Sequence, residues 1–280
     1  MTRIVVTGAS GKAGRAVVAD LLAHGYEVVP TDALAPTIDL GTRLIRADLT
    51  DFGQAIEVLH GAEAVVHLAN IPAPEIHTPS FTFNANATMN SNVFLAAAQS
   101  GLKRVVYASS ETTIGLPFDE PPKYAPIDEA HYPYPTSTYA LSKVVTETIA
   151  RHISGWSGIP FVGLRFSNIL APADYEPVPT YWDNPHARKW NLWGYVDVRD
   201  AAAACRNALE ANMTGSQSFI IAAADTIMTR PSAALMADVF PGVELTRGLD
   251  EFETLLAIDA ARQALGYDPK HSWREFVAAP

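Results

Sequence analysis

The chain has 280 residues, enough for one large domain, or a domain with a smaller lobe, around a sizeable core. Hydrophobic residues make up 48% and charged residues 18%, as in ordinary globular enzymes, and a net charge of −10 argues against nucleic acid or anionic lipid as a partner. Cys205 is the single cysteine, which excludes an intrachain disulfide, and no apolar run reaches the roughly 18 residues of a membrane span.

The N-terminus runs straight into an apolar strand, Arg3–Thr7, with no signal-peptide core ahead of it. Together with the lone cysteine this predicts a reducing, cytoplasmic home. Further strands are predicted at 26–30, 43–46, 64–69, 104–109 and 161–166, all with the near-continuous apolar character of strands buried on both faces. Helical patterns fall between them at 13–24, 51–60 and 84–100. The first places Val17, Val18, Leu21 and Leu22 on one side and stops at Gly25. This alternation predicts an α/β fold, a doubly wound parallel sheet of the Rossmann type.

After Phe166 the texture changes. Residues 171–194 hold Pro172, Pro177, Pro179 and Pro185 among Tyr175, Tyr181, Trp182, Trp190 and Trp193. No regular helix tolerates that spacing of prolines, so a long aromatic loop is expected, and long ordered loops are often functional. A helix at 198–211 and a strand at 218–222 return to the sheet, and the tail from Thr226 forms a small mixed lobe. The expected division is a dinucleotide-binding part, 1–170, and an interleaved substrate part, 171–280, with 195–222 rejoining the sheet.

Thr7-Gly8-Ala9-Ser10-Gly11-Lys12-Ala13-Gly14 lies between the first strand and the first helix. Gly8, Gly11 and Gly14 permit a tight turn and close approach of backbone to a pyrophosphate at the helix N-terminus, with Ser10, Lys12 and Ala13 in the same cradle. Asp32 ends the second strand, where an acidic residue meets adenosine ribose hydroxyls. Neither Ala33 nor Leu34 offers a cation for a 2′-phosphate. The expected cofactor is therefore NAD, with NADP left open because Lys12 and Arg15 carry charge nearby.

Tyr139 and Lys143 are four residues apart, one turn of a helix, and so share a face. An ammonium beside a phenol is expected to lower the phenol's pKa and fit it for proton transfer to or from an alcohol or carbonyl. His67, His77, His131 and His186 lack metal-ligand spacing, and no metal is expected. Asp197 and Asp200 read as loop-positioning and capping groups.

In this order the motifs resemble the extended short-chain dehydrogenase/reductase superfamily, the NAD-dependent epimerases, dehydratases and sugar dehydrogenases. The resemblance implies that Asp48 and Leu49 contact adenine. It implies that Leu68, Ala69 and Asn70 line the nicotinamide side, where Ala is more usual than Asn70. Asn84, in Asn84-Ala-Asn86-Ala-Thr88-Met-Asn90, resembles the start of the family's long fourth helix. Ala108, in Val105-Val106-Tyr107-Ala108-Ser109-Ser110, and Phe166, in Leu164-Arg165-Phe166-Ser167-Asn168, take cofactor positions, and Leu265-Gly266-Tyr267 resembles the C-terminal signature. Ser110 matches the catalytic Ser/Thr, with Ser109 as its competitor, and Tyr139 and Lys143 match the catalytic pair. The implied roles are Tyr139 as general acid/base, Lys143 lowering its pKa and holding the nicotinamide ribose, and Ser110 holding the reacting oxygen.

Ser110, Glu111, Thr113, Asn168, Trp182 and Arg188 are the expected substrate contacts, and the expected substrate is a small sugar-like molecule. The nearest pattern is that of the short uronate dehydrogenases. Those carry an arginine after the proline at 172, where this chain has Ala173-Asp174-Tyr175-Glu176-Pro177-Val178. An uncharged sugar or other hydroxy compound therefore fits at least as well. A nucleotide-sugar epimerase or dehydratase is the alternative, and a non-enzymatic cofactor sensor the lesser one. The resemblance further implies a homodimer through helix 84–100 and the helix carrying Tyr139, with Val93, Phe94, Leu95, Val144, Val145 and Ile149 as its apolar stock.

Overall fold

The structure is a computed structural model that describes residues 2–118 and 120–278. Seven parallel strands form the central sheet: β1 (Arg3–Thr7), β2 (Glu27–Asp32), β3 (Ile45–Arg46), β4 (Ala64–His67), β5 (Arg104–Ser110), β7 (Phe161–Phe166) and β10 (Ser216–Ile221). Their order across the sheet is β10-β7-β5-β4-β1-β2-β3. The order reverses between β1 and β4, and such a reversal opens a crevice at the strands' carboxyl ends.

Alternating side chains feed two cores. Ile4, Val6, Val66 and Val106 join one, against α1 (Lys12–Ala23) and α5 (Val198–Glu210). Val5, Val65, Val105 and Tyr107 join the other, against α2 (Phe52–Leu59), α3 (Pro79–Gln99) and α4 (Thr138–Ser157). The period-two alternation of a strand buried on both faces explains why the middle of each run is apolar, with polar residues kept to the strand ends. This is the expected doubly wound fold.

β1 and β7 match the sequence expectation residue for residue, while α3 begins five residues earlier than expected. Pro79 takes its first position, where the missing N–H costs nothing. Two short pairs complete the fold: β8 (Ile169–Leu170) with β9 (Val196–Asp197), and β6 (Tyr124–Ala125) with β11 (Glu244–Leu245). The tail adds α6 (Ser232–Val239) and α7 (Asp259–Leu265).

Segment 171–194 is more regular than an open loop. It forms three 3-10 turns, Pro172–Tyr175, Val178–Tyr181 and Pro185–Asn191. The β8–β9 pair closes its base. The Tyr175 hydroxyl donates to Asp197 at 2.9 Å, and the Trp193 indole donates to the Pro185 carbonyl at 2.7 Å.

Candidate active site

The carboxyl ends of β1, β2, β4, β5 and β7 bring the glycine loop, Asp32, His67, Ser110 and Phe166 to one edge of the sheet. At Gly8, φ is +68° and an added Cβ would stand 2.6 Å from the Ala69 nitrogen; at Gly14 it would stand 2.1 Å from the Gly8 carbonyl oxygen. Backbone packs on backbone here, so only glycine fits. Gly11 caps α1 without a side-chain hydrogen bond, and no acidic residue occupies the first turn. Its N–H donors thus keep the positive end of the helix for an anion, which fits a dinucleotide pyrophosphate.

Asp32 accepts from the Ser10 amide at 2.9 Å and the Leu34 amide at 3.0 Å, tying the end of β2 to the loop, while the Ser10 hydroxyl donates to the Leu34 carbonyl. Arg46, on β3 beside Asp32, donates to the Ala33 carbonyl from Nε at 3.1 Å and Nη2 at 3.0 Å. Sequence distance hides this cation; strand register supplies it. Lys12 does not stand free in the cradle. Its Nζ pairs with Asp174 and reaches the Ile169 carbonyl at 3.3 Å, bridging the loop to segment 171–194.

Asp48 accepts from the Thr50 amide and hydroxyl, and Leu49 is buried beside it. His67 is buried between the Thr7 hydroxyl, at 2.7 Å, and Asn90 Oδ1, at 2.9 Å. Burial and the nearby Lys143 charge push it down to about 3, so it stays neutral. Thr7 Oγ1 accepts from the Leu68 and Ala69 amides at 3.2 Å each, which fixes the turn beneath Gly8. Asn70 joins Asn90, which also donates to Thr146 on α4. Asn84 is exposed, whereas Asn86 and Asn90 on the same helix are buried and bonded.

Ser137 caps α4 and starts the helix that carries the pair. Lys143 is 1% exposed and donates to the Ala108 carbonyl at 2.8 Å; its Nζ stands 5.7 Å from the centre of the Tyr139 ring. The expected lowering of the Tyr139 pKa is not what the structure gives. Burial pushes the phenol up to about 12, against a pull from the Ser110 hydroxyl and with a push from Glu111. Burial also pushes Lys143 down to about 7, opposed by Glu147. A desolvated ammonium loses its own charge before it can stabilise a phenolate.

The two neighbouring serines part company. Ser109 donates to Glu147 at 2.5 Å, and Glu147 is held bidentately by Arg165 at 2.9 and 2.8 Å. Ser110 is the one beside Tyr139, its oxygen accepting from the Thr112 hydroxyl at 2.9 Å. Ala108 and Phe166 stand next to this group, the latter paired in register with Ser110.

Three expected substrate contacts have other partners. The Thr113 hydroxyl is fully buried and donates to the Ser110 carbonyl at 2.9 Å, a turn-forming role. The Trp182 indole donates to the Ile227 carbonyl at 3.2 Å and packs on Trp273, anchoring the 171–194 segment to the tail. Arg188 is 9% exposed, lies over Tyr181 and Trp190, and donates to Asn168 Oδ1 and the Gly194 carbonyl at 3.2 Å. Glu111 is buried beside them within bonding reach of Asn191 Nδ2 at 3.4 Å, and burial pushes its carboxyl up to about 7. Asn191 has no local sequence signature; its role comes from the turn Pro185–Asn191 folding back over Glu111.

A cavity of about 510 Å³ is lined by Ile114, Gly115, Phe118, Tyr132, Tyr134 and Thr136. These residues run from the turn after Ser110 to the start of α4. Asp197 caps α5 through the Arg199 amide, and Asp200 accepts from the Lys270 and His271 amides, so both position backbone. Glu129, which has no evident role in the sequence, accepts from the Ile220 amide of β10 at 2.8 Å. Among the described residues no group of three or more His, Cys, Asp or Glu is placed to hold a metal ion, and no helix is long and apolar enough to cross a membrane.

The family model for the NAD-dependent epimerase/dehydratase family matches residues 4–222. The chain is 25% identical to an NAD-dependent glucose-6-phosphate dehydrogenase from Haloferax volcanii, over 98% of this chain and 95% of the relative. It is 23% identical to a UDP-glucose 4-epimerase from Corynebacterium glutamicum, over 96% of this chain and 92% of the relative. A solved structure of a mutated uronate dehydrogenase superimposes with a TM-score of 0.72 at 23% identity, covering 98% of this chain and 84% of that one.

Proposed function

The chain belongs to the NAD-dependent epimerase/dehydratase family, and from that premise we propose that it is an NAD-dependent oxidoreductase acting on a sugar or related hydroxy compound. The observation that carries this reading is the meeting of Ser110, Tyr139 and Lys143 at the sheet edge that also holds the glycine loop. Bound NAD supplies the hydride acceptor or donor. Residues 1–170 hold it: the loop and α1 take the pyrophosphate, Asp32 the adenosine ribose, and Asp48 and Leu49 the adenine. Residues 171–280 cover the substrate, with 195–222 rejoining the sheet.

Tyr139 passes a proton to or from the reacting oxygen, and Ser110 orients that oxygen. Lys143, already bonded to the Ala108 carbonyl, positions the ribose. A phenol held near 12 favours proton donation at neutral pH and requires help to act as a base, so turnover in the oxidative direction should rise with pH. Tyr139→Phe should lower turnover by about 10²–10⁴-fold and leave NAD affinity within about twofold in a titration. Unchanged turnover would refute the role.

The nucleotide-sugar epimerase reading draws on the Corynebacterium relative. Incubation with NAD and a panel of sugars, sugar acids and nucleotide sugars separates the two. Net NADH marks a dehydrogenase, product without net NADH an epimerase, and silence a cofactor sensor.

The protein is proposed to work in the cytoplasm as a homodimer through α3 and α4. Val93 and Phe94 are spent in the core, but Phe81 and Leu141 are exposed at 54% and 42%, and Leu95, Val144, Val145 and Ile149 are half-buried. A monomer in sedimentation equilibrium would refute the dimer.

A further inference from the structure

Four buried polar atoms gather around Glu111 without a well-aligned hydrogen bond, although the Ser167 hydroxyl lies close enough to pull the Glu111 carboxyl down. They are Glu111 Oε2, Ser167 Oγ, Arg188 Nε and Asn191 Oδ1, on side chains 3%, 3%, 9% and 0% exposed. A buried polar atom left short of a bond is costly, so Arg188 Nε and Asn191 Oδ1, with the Glu111–Ser167 pair beside them, form a set that a ligand can complete. The backbone that presents them is itself strained. Leu192 and Trp193 take positive φ values of 53° and 56°, which side chains with a Cβ rarely adopt, and both are fully buried. Such strain persists where the surroundings over-determine it, as binding sites do. Gly194 completes the turn because a Cβ there would stand 2.6 Å from Leu256 and 3.0 Å from Ser167 Oγ.

The charge of the cluster decides what it can take. Arg188 is the cation a carboxylate would seek, but its Nη atoms are committed to Asn168 and Gly194 and its face lies over Trp190 at 4.9 Å. Glu111 shares its field and offsets its charge. A substrate carboxylate brought here would meet a second carboxyl and a cation already in use. A hydroxyl, by contrast, can donate to Glu111 or Asn191 and accept from Arg188 Nε or Ser167.

We propose that Glu111, Ser167, Arg188 and Asn191 form a hydroxyl-reading wall that selects a substrate uncharged at the end beside the reacting carbon, a neutral polyhydroxy compound rather than a sugar acid. This rests on the hydride-transfer reading of the same site and names its substrate class. Glu111 is a binding residue here: it discriminates, and Tyr139 moves the proton. The selection works because a site built to bond hydroxyls leaves buried groups unpaired when the wrong ligand enters.

The test is equilibrium binding of matched neutral aldoses and their uronates, glucose with glucuronate and galactose with galacturonate, to the NAD complex of Tyr139→Phe. The neutral partner should bind at least about tenfold tighter in one pair or both, and Glu111→Ala in that background should remove the preference. Equal or tighter uronate binding, absence of binding by every compound, or a preference that survives Glu111→Ala would overturn the proposal. Turnover by the unmutated protein separates the two readings. Oxidation of uronates and aldoses alike keeps hydride transfer and removes the wall, whereas selective aldose binding without NADH or epimer formation keeps the wall and removes hydride transfer.

Discussion

Two buried glutamate–arginine sets flank the Ser109-Ser110 pair, and they are built to different standards. On one side, Glu147 has both oxygens bonded by Arg165, with the Ser109 hydroxyl as a third donor. On the other, Glu111 and Arg188 lie near each other without a direct ion pair among the described residues, and each keeps an unbonded atom. The first set joins α4 to β5 and β7 and holds the helix of Tyr139 and Lys143 against the sheet. The second begins at Glu111, next to Ser110 in the chain, and is the set proposed to face the substrate. Arg165 Nη1 keeps an unbonded atom of its own, so the difference lies in the carboxylates: Glu147 is completed by its cation from within, whereas Glu111 has no ion pair and stays open to another partner.

The comparison is broken most directly at its closed side. Arg165→Met strips both bonds from Glu147 and leaves a carboxylate within the protein without its cation. The expected loss is about 3–5 kcal/mol, read as a lower urea midpoint at unchanged slope. Arg188→Met should cost less, because Glu111 already lies near neutrality and can take up a proton instead. Equal losses in the two variants would erase the distinction.

The next effect is a pH dependence centred on the open side. Burial raises Glu111 from the usual carboxyl range to about 7. The folded state therefore holds a proton that the unfolded chain has released. This contribution is full below the ordinary carboxyl value and lost as pH rises to about 7. Lys143 runs the other way: burial lowers it to about 7. The unfolded chain then binds the extra proton, so stability recovers as pH rises from about 7 towards the ordinary lysine value. Each group contributes a slope of up to about 1.4 kcal/mol per pH unit, and together they place a stability minimum near pH 7. Glu111→Gln should flatten the acid limb and Lys143→Met the basic one in urea denaturation at stepped pH. A profile unchanged by both would show that neither group is shifted.

The legibility of these parts follows from how far each signal travels along the chain. Strands β1 and β7 show in apolar runs, and the phosphate loop in its glycines, because the constraint and the residue that meets it are neighbours. Tyr139 and Lys143 are one turn apart and read equally well. Arg46 on the Ala33 carbonyl is hidden, since strand register sets it across thirteen residues. Lys12 with Asp174 spans 162 residues, and Glu111 with Asn191 spans 80. No local pattern encodes such pairs. The direction of the Tyr139 shift is hidden for the same reason: burial is a property of the whole fold, and here it is the largest cause and raises the phenol.

The smallest test lies within the serine pair itself. Sequence leaves Ser109 and Ser110 as neighbours at a strand end, but alternation turns one towards Glu147 and the other towards Tyr139. Ser109→Ala removes a charge-assisted hydrogen bond from a carboxylate that keeps both bonds to Arg165, so the expected cost is about 1.5 kcal/mol of stability with turnover within about twofold. Ser110→Ala should do the reverse. Its oxygen accepts from the Thr112 amide and hydroxyl at the turn and touches the Tyr139 phenol, with no charged partner, so less stability is at stake, while the reacting oxygen loses its orienting partner and turnover falls. Thermal or urea midpoints beside steady-state rates would read both variants. A Ser109 variant that lost turnover while Ser110→Ala kept it would exchange their roles. The closed set would then be the one that faces the chemistry.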